Sequence, residues 1–247
     1  MNSQETINIL NGLKLKGMSD AFASMVAMPT QERPGIEMGA AKMAEAEQMY
    51  RVHKRTEMFI KTSKLRYNAC FEDIECSLER NFTKEQLLEI ADCSFITRAE
   101  NLLITGLTGC GKSFLACAIG RQACHLGYRT EYLNMHKFIE RIALAKLDGT
   151  FLKLVSHLEK NHLIILDDFG LQPLDVNSRL ALLQILEERY ERKSVIVVSQ
   201  LPIDKWYDYI AEPTLADAIM DRLVNNAHHI ELKGESMRRK KKNKLHL

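Results

Sequence analysis

Asn101-Leu102-Leu103-Ile104-Thr105-Gly106-Leu107-Thr108-Gly109-Cys110-Gly111-Lys112-Ser113 sets the architecture of this chain. Its first five residues read as a buried strand. Its last eight match the pattern G-x-x-x-x-G-K-[ST] in full. A helix then starts at Lys112 and stops at Gly127. Each residue type has a physical job in this order. The glycines Gly106, Gly109 and Gly111 let the backbone wrap closely and aim successive N–H groups inward as an anion-binding nest. Leu107, Thr108 and Cys110 work through backbone atoms. The helix N-terminus adds free donors and partial positive charge. Lys112 neutralises the β- and γ-phosphates of a nucleotide, and Ser113 offers a hydroxyl oxygen to Mg²⁺. The expected ligands are ATP and Mg²⁺.

Two further apolar runs end in polar residues. Residues 162–166 form a strand leading into Asp167-Asp168. In P-loop ATPases an acid at the end of a neighbouring strand holds Mg²⁺. Asp167 takes that role here, and Asp168 is placed to orient or deprotonate the attacking water. Residues 194–198 form another buried strand and lead into Ser199-Gln200. If that strand lies beside the first, Gln200 or Ser199 reaches the γ-phosphate. Strands are also read at 129–133 and 229–232, and helices at 177–193 and 215–226. This alternation implies α/β architecture: a parallel five-stranded sheet flanked by helices, since continuous apolar strands are buried on both faces.

The N-terminal part differs. Residues 1–68 read as a small all-helical domain. Ile7, Leu10 and Leu13 recur at helical spacing. Gly17 reads as a stop and Ser19 as a new N-cap, and a long helix runs through 37–66. The basic side of that helix, with Arg51, Lys54, Arg55, Lys61, Lys64 and Arg66, suits oligomerisation or DNA contact. Residues 69–236 form the nucleotide domain and 237–247 a basic tail. The chain has a net charge of +2, yet residues 233–247 hold seven Lys/Arg against one Glu. Such a run attracts phosphate-rich polymers by releasing their counterions.

Composition excludes other classes. With 46% hydrophobic and 27% charged residues, the chain is neither disordered nor a disulfide scaffold. No window approaches the ~18 apolar residues of a membrane span, and the polar start lacks signal-peptide order, so a cytoplasmic location is expected. The six cysteines form no Cys-x-x-Cys pair and read as reduced thiols, with Cys117 and Cys124 facing the core of one helix. The histidines show no metal-ligand spacing.

Taken together, the phosphate loop, Leu166-Asp167-Asp168-Phe169-Gly170, Val198-Ser199-Gln200-Leu201-Pro202, Asp221-Arg222-Leu223 and Gly234-Glu235-Ser236-Met237-Arg238 resemble the AAA+ ATPases. Within them, and with Leu13-Lys14-Leu15-Lys16-Gly17-Met18, they resemble the IstB transposition helper ATPases of insertion sequences. DnaC-type helicase loaders look similar. The resemblance covers most of the chain. It implies that Gln200 is a phosphate sensor and that Arg222 is an arginine finger reaching a neighbouring subunit's nucleotide. It also implies that Arg238 is a second sensor acting in cis. It further implies an ATP-dependent homo-oligomer that assembles on double-stranded DNA and stimulates a partner transposase. Asp168 stands where most AAA+ enzymes carry Glu, which bears on the hydrolysis rate.

Three other readings share parts of this pattern. A replicative helicase loader has the same core. A small-molecule kinase would use the phosphate loop but needs an acceptor pocket. A non-hydrolysing, ATP-gated DNA-binding protein would fit the shorter Asp168.

Overall fold

The computed structural model describes residues 2–237. The chain divides into two compact units that part between Met58 and Phe59. Residues 59–68, read above with the helical region, belong to the second.

The first unit begins with α1 (Ser3–Gly12). Asn2 caps it reciprocally: its side chain accepts the Glu5 N–H at 2.8 Å, and the Glu5 carboxylate accepts the Asn2 N–H at 2.9 Å. Helix α2 (Lys16–Val26) follows, and Gly17 and Ser19 lie inside it, buried. The expected stop and cap at these residues is therefore wrong. Gly17 is a packing notch: a Cβ there would stand 2.6 Å from the Cα of Glu47. That residue lies on α3 (Ile36–Ser63), the long helix expected from the Gly- and Pro-poor run. The small residue lets two backbones approach, which sequence punctuation alone reads as a break.

In the second unit, α4 (Lys84–Ala91) and α5 (Ser94–Thr97) lead into β1 (Asn101–Gly106). Then come α6 (Lys112–His125), β2 (Thr130–Asn134), α7 (Met135–Leu147), α8 (Phe151–Glu159) and β3 (Leu163–Phe169). After these follow α9 (Val176–Arg189), β4 (Ser194–Ser199), α10 (Trp206–Ile210), α11 (Pro213–Val224) and β5 (Ala227–Leu232). The strands form one sheet in the order β2-β3-β4-β1-β5, with every pairing parallel.

Alternate residues of the strands feed two cores. Leu103, Ile164, Leu166, Val195 and Val197 pack with residues of α7 to α11. Leu102, Ile104, Ile165, Ile196 and Val198 pack with α6, including Cys117. Burial on both faces explains the continuous apolar runs in the sequence. Parallel pairing also brings the C-terminal ends of β1, β3 and β4 together, at the crevice where open α/β sheets hold ligands. Among the described residues no helix is long and apolar enough to cross a membrane.

The opposite end of the sheet is tied by one arginine. Arg189, at the end of α9, is 1% exposed. It donates to the carbonyls of Leu158 and Asn161 at 3.0 Å, His162 at 3.2 Å and Ser194 at 2.8 Å. These carbonyls lie in the last turn of α8 (Leu158), in the connection from α8 to β3 (Asn161 and His162) and at the first residue of β4 (Ser194). An unpaired buried acceptor costs about 1–3 kcal/mol. Arg189→Met is expected to remove about 3 kcal/mol or more and to lower the melting temperature by roughly 6–12 °C in circular dichroism.

Candidate functional site

The loop between β1 and α6 has the form its sequence implies. Gly106, Gly109 and Gly111 all take positive φ. Lys112 is 7% exposed and folds back over the loop. Its Nζ donates to the carbonyls of Gly106 at 2.7 Å and Leu107 at 2.9 Å. Burial pushes its ammonium below the ordinary lysine range, with Asp167 and Asp168 opposing. Its third contact is the Cys110 sulfur at 3.9 Å. A buried cation held by two neutral carbonyls and a thiol is poised for an anion, which binds it more strongly.

Ser113, one residue into α6, donates from Oγ to Asp167 Oδ1 at 2.9 Å. Asp167 is fully buried on β3. Its other oxygen accepts from the Tyr132 hydroxyl on β2. The Ser113 hydroxyl and the Asp167 carboxylate are hard oxygen donors at the edge of the phosphate loop, which suits Mg²⁺. The site needs no larger acidic cluster, and among the described residues there is no group of three or more His, Cys, Asp or Glu placed to hold a metal.

Asp168 is placed by a backbone irregularity. In a regular strand, consecutive side chains point to opposite faces. Here the β3–β4 register shifts between Leu166 and Phe169, and Asp168 adopts φ +63°. The bulge turns its carboxylate toward the same end as that of Asp167. Asn134, at the end of β2, donates to Asp168 Oδ2 at 2.7 Å. Arg66 lies 3.5 Å from the same oxygen and 4.0 Å from Asp167 Oδ2. Burial first, and the neighbouring Asp167 charge second, push the Asp168 carboxyl above its ordinary range; Arg66, Asn134 and Lys112 pull the other way.

Strand β4 does lie beside β1, with Thr105 opposite Ser199. Gln200, the next residue, accepts a hydrogen bond from the Thr108 hydroxyl of the phosphate loop. Ser199 instead turns away and donates to the Phe169 carbonyl at 2.7 Å. Of the two polar residues, Gln200 is the one at the loop.

Arg222 is elsewhere. It sits near the end of α11, bound to Glu187 at 2.6 Å and Asp221 at 3.1 Å, with its guanidinium 5.7 Å from the Tyr190 ring. Its backbone carbonyl accepts from Asn101 at the start of β1. This is the opposite end of the sheet from the phosphate loop. Arg238 lies outside the described residues. The chain leading to it does reach the loop: Met237 N–H donates to the Gly109 carbonyl at 2.9 Å.

One residue at the site carried no sequence signal. Arg80, in the connection before α4, is 7% exposed. Its guanidinium donates to the carbonyl of Cys110 at 2.7 Å and to that of Glu75. Its own carbonyl accepts from Lys233 at 2.9 Å. Across a trans peptide the C=O and N–H point in opposite directions. Holding the Cys110 carbonyl outward therefore turns the Gly111 N–H into the hollow. Gly111 must be glycine, with φ +94° and a would-be Cβ 2.9 Å from the Arg80 guanidinium. Arg80→Met is expected to weaken ATP binding by about tenfold, the loss of one charged hydrogen bond, with Arg80→Lys in between. Calorimetry with a non-hydrolysable ATP analogue measures it.

A family model for IstB-like ATP binding proteins matches residues 8–245. A protein of Sinorhizobium fredii named as an insertion sequence ATP-binding protein is 38% identical over 244 residues, covering 99% of this chain and 100% of that one. One from Geobacillus stearothermophilus, named for insertion sequence IS5376, is 29% identical and covers 93% of this chain and 92% of its own length. Among solved structures, DnaI aligns with a TM-score of 0.57 at 17% identity, over 67% of this chain and 92% of that one. The DnaC helicase loader aligns with a TM-score of 0.55 at 18% identity, over 69% and 99%. At such identities the likeness is one of fold, that of AAA+ P-loop domains.

Proposed function

This chain belongs to the IstB-like ATP-binding protein family, and we propose that it hydrolyses ATP as the DNA-binding helper of an insertion-sequence transposase. The observation that carries the reading is the convergence of Lys112, the Ser113–Asp167 pair and Asp168 at one end of the sheet. The loop N–H groups and Lys112 hold the β- and γ-phosphates. Ser113 and Asp167 would hold Mg²⁺, which neutralises phosphate charge when bound. Asp168 orients the attacking water and accepts its proton, and Gln200 hydrogen-bonds the γ-phosphate. Arg238, just beyond Met237, contacts the nucleotide from the same chain.

Arg222 stands too far from its own loop to act there, so it serves the site of a neighbour in an ATP-dependent homo-oligomer. The helical region 1–68 and the basic tail 237–247 supply oligomer and DNA contacts. The relatives that match over the whole chain are named for insertion sequences, which supports a transposase partner over a replicative helicase.

Mixing tests the shared site. Arg222→Ala and Asp168→Asn proteins are each expected to be nearly inactive. Their mixture regains a fraction of the hydrolysis, because an intact Asp168 then faces an intact Arg222. Mixtures that stay as inactive as their parts sink the finger assignment. Anisotropy of a labelled duplex with and without ATP and Mg²⁺ tests the DNA partner, and binding that ignores nucleotide sinks the ATP-dependent assembly.

A further inference from the structure

Beside Asp168 lies a cleft of about 530 Å³, lined by Lys64, Arg66, Lys137 and Arg141, with Tyr132 and Phe138 as its apolar wall. Its second acid, Glu131, is already engaged. It is 3% exposed, and its carboxylate binds Arg141 at 2.9 Å, His157 at 3.0 Å and Asn161 at 2.8 Å. That leaves Asp168 as the other lining acid for Lys64, Arg66 and Lys137, with the buried Asp167 also 4.0 Å from Arg66. Among the described residues neither Lys64 nor Lys137 has an ion-pair partner. Lys64 closes α3 in the left-handed region, with φ +54°, and the chain then turns to set Arg66 against the acids.

The Arg66–Asp168 contact is loose. At 3.5 Å, with the Arg66 side chain 43% exposed, it is a weak pair. A phosphate diester presents two oxygens to the guanidinium fork and forms shorter, charge-assisted bonds. Yet while Arg66 stays, Asp168 Oδ2 carries both Arg66 and Asn134. That oxygen then has little room for a water.

We propose that this cleft is a phosphodiester site: a DNA backbone phosphate gripped by Lys64 and Lys137 draws Arg66 off Asp168 and so couples DNA binding to hydrolysis. Arg66 is a positioning residue in this scheme, and it restrains the base until DNA arrives. The proposal rests on the reading of duplex DNA as partner and of Asp168 as base.

The test uses the full chain, a fluorescein-labelled 20-base-pair duplex, and anisotropy and phosphate release across a salt series. Lys64→Gln/Lys137→Gln is expected to keep the wild-type melting temperature, DNA-free hydrolysis and ATP affinity. It loses most of the stimulation by duplex, and its log–log salt slope for duplex binding falls by about 0.9, the share of one phosphate contact. Arg66→Gln is expected to raise DNA-free hydrolysis severalfold and to shrink the stimulation. A double variant with the wild-type salt slope overturns the site while leaving DNA as the partner. An Arg66→Gln protein whose DNA-free rate does not rise overturns the restraint. If the double variant binds duplex normally but loses response to the transposase, the occupant is an acidic protein segment and the phosphodiester assignment fails. A wild-type protein that binds no duplex in ATP removes the DNA reading itself, and the cleft's occupant with it.

Discussion

Lys112→Ala is expected to weaken ATP binding by about 100-fold, close to 3 kcal/mol. The ammonium is nearly buried; its hydrogen-bond acceptors are the neutral carbonyls of Gly106 and Leu107 and, at 3.9 Å, the Cys110 sulfur. Its burial already disfavours the charged form. A triphosphate relieves that penalty by pairing the charge, so the lysine contributes more to the bound state than to the free one. The alanine variant keeps the loop glycines, the helix N-terminus and the Arg80 brace. It is therefore expected to melt at or above the wild-type temperature without nucleotide while losing the ATP-induced rise. Differential scanning fluorimetry with and without ATP and Mg²⁺ reads both quantities. A variant that still gains the wild-type thermal shift would remove the phosphate loop from the account of binding.

Asp168→Asn is expected to lower kcat by about 100-fold or more while ATP affinity changes by less than about threefold. The amide keeps the shape of the side chain and one acceptor oxygen, but it cannot take a proton. Affinity is spared because Asp168 does not touch the loop; its partners are Asn134 and Arg66. Asp167→Asn separates the two acids. It removes the charge beside Ser113, so both Mg²⁺-dependent nucleotide affinity and hydrolysis are expected to fall. Single-turnover phosphate release, paired with calorimetry, distinguishes the two patterns. An Asp168→Asn protein with wild-type turnover would return the chain to the class of ATP-gated binders and assign the water to another group.

The phosphate loop was legible because its function resides in backbone geometry, and glycine positions report backbone geometry directly. The strand-to-helix context came from apolar runs that are buried on both faces, and all five strands are present, with bounds shifted by a few residues. Local punctuation misled at Gly17. A glycine within a helix carries the same letter whether it ends the helix or admits a neighbour, and only α3 shows which. Asn134 had a signal in principle. It ends a buried strand at the level of Asp167, its register partner. Arg80 had none, because it lies in an irregular connection and meets the site through contacts with residues far along the chain. Arg66 was legible as part of the basic side of the long helix, but that helix ends at Ser63, and only the chain beyond it brings Arg66 to Asp168.

From sequence alone came the parallel α/β class, the nucleotide cradle and the pair of acids at a strand end, since these follow from residue type and short-range spacing. Tertiary structure alone set how the two acids act. Neighbouring positions on an ordinary strand face opposite ways, and it is the bulge against β4, with Asp168 forced to positive φ and held by Asn134 and Arg66, that turns both carboxylates to one site.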